Sequence, residues 1–524
     1  MKRVFRSHRR GRQVTVAVAV LALACSVAAC GNSSEDGSAS GELNRDAVLR
    51  YATPTPNALF DPVQMSSPTA DYAVMAPIYE GLLTYEKDGE SMVLSPALAE
   101  SFEVSDDGLQ VTFELREGIE FQDGTPFNAE AVAANVERAQ TLPESTIGST
   151  YEVIDSVETP DDSTVVFNLS EPSSGLLHDL AGVPGMLVSP AAFDQDPATR
   201  PVGTGPYELE SSTSSVNTYQ RFPDYWDPEN KGFVKTIEIH VVSDDNAAIN
   251  GFRSGQFDIA RLQPTTLGQA RDIADDGDGT LLELVSQAQR TLYLNADNPE
   301  LADPRVREAL DIALDREALN VGAFEGTCEA SDQIFTPSVQ GHVPDELDPE
   351  FDIERARDLL ADADVTDLSI TLLSPTVSDV TAAVQIIQAA WKEIGVTVEI
   401  VPYDPVQARS EYRAGKYDAF LASLPGAPDP TSILAQFLGR DTFGSLPGDL
   451  EDKVTQAASL SLSDPAREDA YQDISRIIHE NRVGGIPLCV LYDAALSAPG
   501  VENPDSARAM LTRQTALAEV KMYR

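Results

Sequence analysis

The sequence predicts an α/β protein of two lobes, the first of which carries an inserted β-rich subdomain. Strand and helix patterns alternate along residues 368–422, whereas the earlier half is richer in hairpins and irregular segments. A chain of 524 residues is long enough for two or three structural units. Its hydrophobic fraction of 42% suffices for a large buried core.

The earlier half contains two strands and a helix with clear local signals. Apolar and polar side chains alternate over 111–115 and again over 165–169, which is typical of strands with one buried face. Asn128 is a good N-cap residue, and the pattern after it predicts a helix over 131–140.

A further helix is predicted to begin at the Asp303-Pro304 pair. Asp303 suits the N-cap, and proline is favoured at the first helical position. Val306, Leu310 and Leu314 then follow at helical spacing and form one apolar face.

Residues 368–422 give the clearest α/β signal. Strands are predicted at 368–373, 396–401 and 417–422, separated by helices at 377–393 and 406–413. Because the elements alternate strand and helix, the passage predicts a mostly parallel sheet.

The N-terminus has the pattern of an export signal. Six basic and no acidic residues occur in the first 29, followed within that segment by an uncharged run over 14–29 that is short for a membrane-spanning helix. The end of this run resembles a bacterial lipobox, so we expect a signal peptide over 1–29 and a lipid on Cys30. Residues 30–44 are then a flexible tether that holds the folded body at the outer surface of the cell membrane.

Two cysteines remain in the folded body, Cys328 and Cys489. In an oxidising compartment such a pair favours a disulfide. Two separate buried thiols are the alternative.

The composition and motifs exclude several functions. A net charge of −47 opposes nucleic-acid binding, because phosphate would be repelled. No nucleophile constellation, metal-ligand spacing or complete dinucleotide fingerprint occurs in the sequence. We therefore predict a protein that is not an enzyme, with no catalytic residues, no metal and no cofactor.

A series of motifs, in order along the chain, resembles one protein family. They are APIYEGLL at 76–83, FQDGTPFNAEAV at 121–132, VGTGPY at 202–207, DYW at 224–226, SGQFDIA at 254–260, PRVREAL at 304–310 and GKYD at 415–418. These closely resemble the family 5 extracytoplasmic solute-binding proteins of ABC importers, which include oligopeptide, dipeptide and nickel binders.

The resemblance implies a periplasmic-binding-protein clamshell that closes over a ligand and is recognised by a permease. The expected lobe 1 comprises 45–86, 200–290 and 490–524, with 87–199 as its inserted subdomain, and lobe 2 comprises 291–489. The partners implied are ABC permease and ATPase subunits, a peptide or small-molecule ligand and, through Cys30, the membrane. A monomer is expected.

The ligand contacts are implied only by position in the family pattern. Peptide-binding members share a Gly-Trp-x-Ala-Asp-Tyr stretch whose aspartate pairs with the peptide's amino group. Alignment on Asp429-Pro430 puts Gly426 at that aspartate, and alignment on Tyr417-Asp418 puts Ala427 there. The candidate ligand-binding residues are Met65, Ser66, Ser67, Arg413, Leu424, Pro425, Gly426 and Asp429.

Several alternatives stay open at the sequence level. Asp429 is also a suitable cap for a helix beginning at Pro430, and Arg413 is also a suitable solvent-exposed cation at a helix end. The leading function is a lipid-anchored binding subunit for peptides. The rivals are a binder of a non-peptide solute, such as a sugar or metal chelate, and an envelope lipoprotein that uses the same fold without transport.

Overall fold

The structure is a computed structural model of the full chain, and its described residues begin at 41. They are 41–55, 59–65, 68–88, 91–105, 107–262, 266–344, 347, 350–427, 429–440, 442–462, 464–502 and 516–524. The predicted signal peptide, Cys30 and most of the predicted tether lie outside them, as do Ser66 and Ser67. In the described part of the chain, no helix combines the length and apolar character needed to cross a membrane.

The strands run from β1 to β19 in chain order. They are β1 (Val48–Thr53), β2 (Leu83–Asp88), β3 (Ser91–Pro96), β4 (Ala99–Val104), β5 (Gln110–Leu115), β6 (Ile154–Glu158), β7 (Thr164–Leu169), β8 (Tyr207–Ser212), β9 (Val216–Arg221), β10 (Thr236–Val241), β11 (Ile259–Leu262), β12 (Thr280–Leu294), β13 (Cys328–Ala330), β14 (Ser369–Pro375), β15 (Thr397–Tyr403), β16 (Ala419–Leu424), β17 (Gly485–Ser497), β18 (Val501–Glu502) and β19 (Lys521–Met522).

The helices run from α1 to α14. They are α1 (Pro68–Met75), α2 (Ala129–Thr141), α3 (Gly148–Tyr151), α4 (Ser174–Leu180), α5 (Asp245–Arg253), α6 (Leu267–Asp275), α7 (Pro304–Ile312), α8 (Arg316–Ala323), α9 (Ile353–Asp362), α10 (Ser378–Glu393), α11 (Pro405–Arg413), α12 (Pro430–Arg440), α13 (Leu450–Ser459) and α14 (Ala466–Asn481). Short 3₁₀ turns occur at Pro62–Gln64, Val183–Gly185, Pro190–Gln195 and Leu517–Glu519.

One large mixed sheet organises the described residues. Its strands follow the order β15-β14-β16-β12-β17-β11-β1-β10-β9-β8, with β13 paired to β17 off this path. The long antiparallel strands β12 and β17 lie at its centre and join its two halves. We call the part built on β1 and β8–β11 the first lobe, and the part from α7 to α14 the second lobe.

The second lobe contains the α/β passage that the sequence predicted. Strands β14, β15 and β16 alternate with α10 and α11, and β14 pairs in parallel with both β15 and β16. The neighbouring strand β12 runs antiparallel to β16. The predicted parallel arrangement of these three strands is therefore confirmed.

The inserted subdomain comprises β2–β7 with α2–α4. Strands β4, β5, β7 and β6 form an antiparallel sheet in that order, and β2 pairs with β3 as a hairpin. The predicted strands at 111–115 and 165–169 are β5 and β7, and both alternate buried with exposed or half-buried residues. The Asn128 side chain accepts a hydrogen bond from the Ala131 N–H, so its predicted role as the N-cap of α2 is confirmed.

Three family-like motifs meet at one buried carboxylate, Glu80. Its Oε1 lies 2.6 Å from Lys231 Nζ and accepts the Tyr225 hydroxyl at 2.9 Å. Its Oε2 accepts Trp226 Nε1 at 2.8 Å and Thr204 Oγ1 at 3.2 Å. Burial alone would raise the pKa of Glu80, but Lys231 and these donors lower it below its ordinary value. These motif residues therefore hold the scaffold together.

Cys328 and Cys489 form a disulfide in the structure, with the sulfur atoms 2.05 Å apart. Cys328 begins β13, and Cys489 lies on β17, the strand to which β13 pairs. The bond therefore fastens the short strand to the centre of the large sheet. Of the two arrangements that the sequence left open, the structure has the bridged one.

The architecture agrees with two lobes and a β-rich insertion, whereas the residue bounds of the domains stay a prediction. The strands that join the lobes are continuous through residues 280–294 and 485–497, so each contributes to both halves of the sheet.

Candidate functional site

The segment after β16 lies against β12, at the centre of the large sheet. Leu424 is the last residue of β16, pairs in register with Gln289 and is buried in the core of the second lobe. The pairing of β12 with β17 has a register shift between Val285 and Gln289, next to the pair that Gln289 forms with Leu424. An irregularity in a ladder releases backbone and side chains from regular pairing, and such bulges are common near binding sites.

Gly426 passes β12 too closely to carry a side chain. A Cβ atom on Gly426 would lie 2.3 Å from Gln287 Cβ and 2.4 Å from its carbonyl carbon. An aspartate at 426 would therefore have to displace the backbone of β12. Under the alignment on Asp429-Pro430, this contact gives a physical reason why position 426 does not carry the aspartate of the peptide-binding pattern.

Gln287 is the residue of β12 that Gly426 approaches. Only 4% of Gln287 is exposed, and in the described part of the chain neither its amide nitrogen nor its amide oxygen has a hydrogen-bond partner. An unsatisfied buried amide costs free energy and is rare in native proteins. Gln287 therefore carries an unused donor and an unused acceptor beside the 424–429 segment.

Asp429 is completely buried and pairs with Arg467 of α14. Its Oδ1 accepts a hydrogen bond from Arg467 Nη2 at 2.8 Å, and its Oδ2 accepts one from the Ser174 hydroxyl at 3.4 Å. Arg467 Nη2 also donates to Ser174 Oγ at 3.2 Å. Since Ser174 begins α4, this triad joins the inserted subdomain to the second lobe.

Two titratable groups of α4 lie beside this triad. His178 Nδ1 is 2.5 Å from the Tyr85 hydroxyl, and its Nε2 is 3.8 Å from Asp429 Oδ1. Burial lowers the pKa of His178 to about 4, so the imidazole is neutral at pH 7. Burial and the charge of Asp429 raise the pKa of Asp179 to about 6.

The remaining candidate residues lie in different places. Pro425, between Leu424 and Gly426, is exposed. The Met65 carbonyl accepts a hydrogen bond from Thr146 Oγ1 at 2.9 Å, and its side chain packs against the cores of the first lobe and the inserted subdomain. Arg413 is exposed at the C-terminal end of α11. Ligand contact by any of these residues stays a prediction.

The sequence interpretation missed Gln287, Ser174 and Arg467. Gln287 lies in a polar–apolar stretch without a motif, and Arg467 is one of several charged residues on an amphipathic helix. His178 is one of five histidines scattered along the sequence and belongs to no motif. These residues come to the 424–429 segment from β12, α4 and α14, so the fold brings them together and no sequence motif does.

A family profile matches residues 93–445, and it describes "Bacterial extracellular solute-binding proteins, family 5 Middle". The chain belongs to this family. The glutathione-binding protein GsiB of Escherichia coli O1:K1 is 33% identical over 356 residues, which cover 66% of this chain and 67% of that protein. Family 5 proteins are extracytoplasmic binding proteins rather than enzymes, and they work with ABC permease and ATPase subunits.

Solved structures of this family have the same fold. The substrate-binding protein CtaP of Listeria monocytogenes aligns with a TM-score of 0.79 at 20% identity, over 92% of this chain and all of that chain (100%). The binding protein AgaA of Agrobacterium ("A.tumefacien R10"), in complex with agropinic acid, aligns with a TM-score of 0.71 at 25% identity, over 91% of this chain and 99% of that one. The family 5 protein described here is thus a two-lobed periplasmic binding protein, as the sequence predicted.

Proposed function

We propose that this family 5 protein is a lipid-anchored binding subunit of an ABC importer that captures peptides between its lobes and delivers them to the permease. The observation that carries the proposal is the buried Gln287 amide beside Gly426, which has an unused donor and an unused acceptor. A peptide group offers one C=O and one N–H, so it can satisfy both.

The missing carboxylate changes which part of a peptide is recognised. In the peptide-binding pattern an aspartate meets a free amino group, whereas Gln287 is neutral and pairs with an amide. The proposal therefore needs no free α-amino group at this position. Peptide capture agrees with a relative at 33% identity whose name records glutathione, a peptide.

Capture works as a shift between open and closed states. A ligand that contacts both lobes stabilises only the closed state, in proportion to its differential affinity. A lipid on Cys30 keeps the protein near its permease and raises its effective concentration there. Replacement of Cys30 by serine is expected to move the chain from the detergent phase to the aqueous phase in a Triton X-114 partition.

A binder of a non-peptide solute is the second candidate. It is favoured by the substitution of Gly426 for the peptide-binding aspartate and by the 25% identical AgaA, whose structure holds agropinic acid. A sugar or metal chelate would likewise need no partner for an ammonium group.

Native mass spectrometry of the folded chain, purified without refolding, distinguishes these candidates. Bound masses that differ by amino-acid residues support peptide capture, and a single non-peptide mass supports the second candidate. A spectrum without bound masses, together with no binding to added peptides, contradicts peptide capture and adds support to an envelope lipoprotein without transport.

Gln287→Leu tests the observation that carries the proposal. The substitution removes the unsatisfied amide and keeps most of the volume, so the ligand-free chain should be as stable as the wild type or more stable. The bound masses should nevertheless disappear. Gln289→Leu is the matched control, because Gln289 Nε2 already donates to the Ile334 carbonyl at 2.5 Å and its loss should lower stability.

A further inference from the structure

A cavity of about 740 Å³ lies between the inserted subdomain and the second lobe, next to the Asp429–Arg467–Ser174 triad. Its volume is within the range of small-molecule sites. The inserted subdomain contributes β3, β4 and α4 to its wall. The second lobe contributes the loop 337–344, Pro430, Leu462 and the first turns of α14.

The wall on the side of the inserted subdomain is apolar. It is made by Val93 and Leu94 of β3 and by Phe102 of β4. Val93 is 45% exposed, whereas Leu94 and Phe102 are half-buried over the core of the subdomain. Covering an exposed apolar surface inside a concave site with an apolar group is favourable, because both surfaces are removed from water.

The rest of the cavity lining carries polar atoms without partners. Within the described residues, Arg467 Nε, His178 Nε2 and Ser338 Oγ are buried and make no hydrogen bond. Arg467 itself is only 1% exposed, and its charge is already paired with Asp429. Arg467 Nε and the Ser338 hydroxyl are hydrogen-bond donors, so the cavity favours a neutral acceptor such as a carbonyl oxygen.

We propose that this cavity is a specificity pocket that takes one apolar residue of a bound peptide. The side chain lies against Val93, Leu94 and Phe102, and a backbone carbonyl accepts from Arg467 and Ser338. The proposal rests on the proposed peptide-binding function and adds to it a preference for apolar side chains.

The position of the pocket couples this preference to closure. Its apolar wall belongs to the inserted subdomain and its donors belong to the second lobe, so a residue held there touches both at once. Such a ligand favours the state in which the two parts are together.

Isothermal titration calorimetry of the full folded chain with four tripeptides tests the proposal. The probes are Gly-Gly-Gly, Leu-Gly-Gly, Gly-Leu-Gly and Gly-Gly-Leu. For the wild type we expect at least one leucine peptide to bind about tenfold tighter than Gly-Gly-Gly, from the burial of its side chain. In Val93→Asn this advantage should fall below about threefold.

Val321→Asn is the matched control, because Val321 is 69% exposed on α8, outside the cavity. It should keep the full advantage of the leucine peptide. Ser338→Ala should weaken the binding of every peptide that the wild type binds. The expected loss of affinity is about threefold to tenfold, without a change in thermal stability.

Three outcomes are informative in different ways. The pocket is supported if the leucine advantage is lost in Val93→Asn and kept in Val321→Asn. Equal binding of all four peptides by the wild type, or an advantage that survives in Val93→Asn, overturns the pocket and leaves peptide binding intact. Binding of none of the four peptides contradicts the proposed function, and the pocket proposal falls with it.

Discussion

At the scale of single residues, Gly426 shows how one close backbone contact can exclude a side chain. The backbone at 426 passes within van der Waals distance of Gln287, and a side chain there would overlap it. An aspartate at 426 is thus excluded by the close approach of the backbone there to β12. A simple exchange at 426 is not expected to create an amine-binding site.

Gly426→Ala should lower the free energy of unfolding by about 1–3 kcal/mol, because the added methyl overpacks the contact with β12. Gly268→Ala is the matched control. A Cβ at 268 meets nothing within 4 Å in helix α6, so this change should be neutral or should add about 0.5–1 kcal/mol. Urea unfolding of both variants checks the pair, and equal stabilities would contradict the contact.

His178 and Asp179 are expected to act in opposite directions on stability as the pH falls. The folded-state pKa of His178, about 4, is below its ordinary value, so its contribution is present above pH 6.5 and is lost as the pH falls to 4. The folded-state pKa of Asp179, about 6, is raised, so its contribution is present below pH 3.8 and is lost as the pH rises through 6. Between pH 6.5 and 4 the two changes largely offset each other.

His178→Gln therefore should gain stability relative to the wild type on acidification from pH 6.5 to 4, by up to about 3 kcal/mol. Asp179→Asn should lose stability relative to the wild type over the same range. Urea unfolding at pH 7, 5.5 and 4.5 measures both differences. Changes of the same sign in the two variants would show that these groups do not titrate as described.

At the scale of elements, the strands and helices of 368–422 could be predicted to within about two residues. Strand β14 was expected at 368–373 and is Ser369–Pro375, and helix α10 was expected at 377–393 and is Ser378–Glu393. The hydrophobic period of the strands differs clearly from that of the helices, and glycine or proline marks several of the element ends. Local patterns of this kind are sufficient to determine elements.

The candidate site was predicted only in part, because its geometry depends on contacts between distant elements. Asp429 was open between ligand contact and helix cap, and the structure pairs it with Arg467, 38 residues later. Ser174 reaches the same carboxylate from 255 residues earlier. No spacing in the sequence reports such a meeting, and neither does it report that Gln287 is left unpaired.

The disulfide is expected to stabilise the junction of β13 with β17. Its cysteines are separated by 161 residues, and closing a long loop restricts the unfolded chain strongly. The double variant Cys328→Ala/Cys489→Ala should lose about 2–5 kcal/mol in the free energy of unfolding. Urea unfolding measures this loss.

A reducing agent supplies the control for the disulfide. It should lower the stability of the wild type to nearly that of the double variant, and it should leave the double variant unchanged. Titratable thiols from Cys328 or Cys489 in the unreduced, unfolded wild type would contradict the bridge.

At the scale of the whole molecule, the inserted subdomain contacts the second lobe. Ser174 connects it to the buried Asp429–Arg467 pair, and the 740 Å³ cavity lies between the same two parts. In a protein that alternates between open and closed states, contacts made only in the closed state set the population of that state. The Ser174 hydroxyl joins these two parts, since it donates a hydrogen bond to Asp429 and accepts one from Arg467.

We propose that the Ser174 contact forms only in the closed state. Ser174→Ala should then weaken binding of the ligand identified by mass spectrometry by about tenfold, because the closed state loses two hydrogen bonds to charged groups. Small-angle X-ray scattering should show that the wild type becomes more compact on adding this ligand, and that the variant needs a higher concentration for the same change. Ser95→Ala is the matched control, because the Ser95 hydroxyl contacts only the Val93 carbonyl within its own hairpin among the described contacts. If both serine variants bind and contract like the wild type, the inserted subdomain does not contribute to closure through Ser174, and the ion pair serves the second lobe alone.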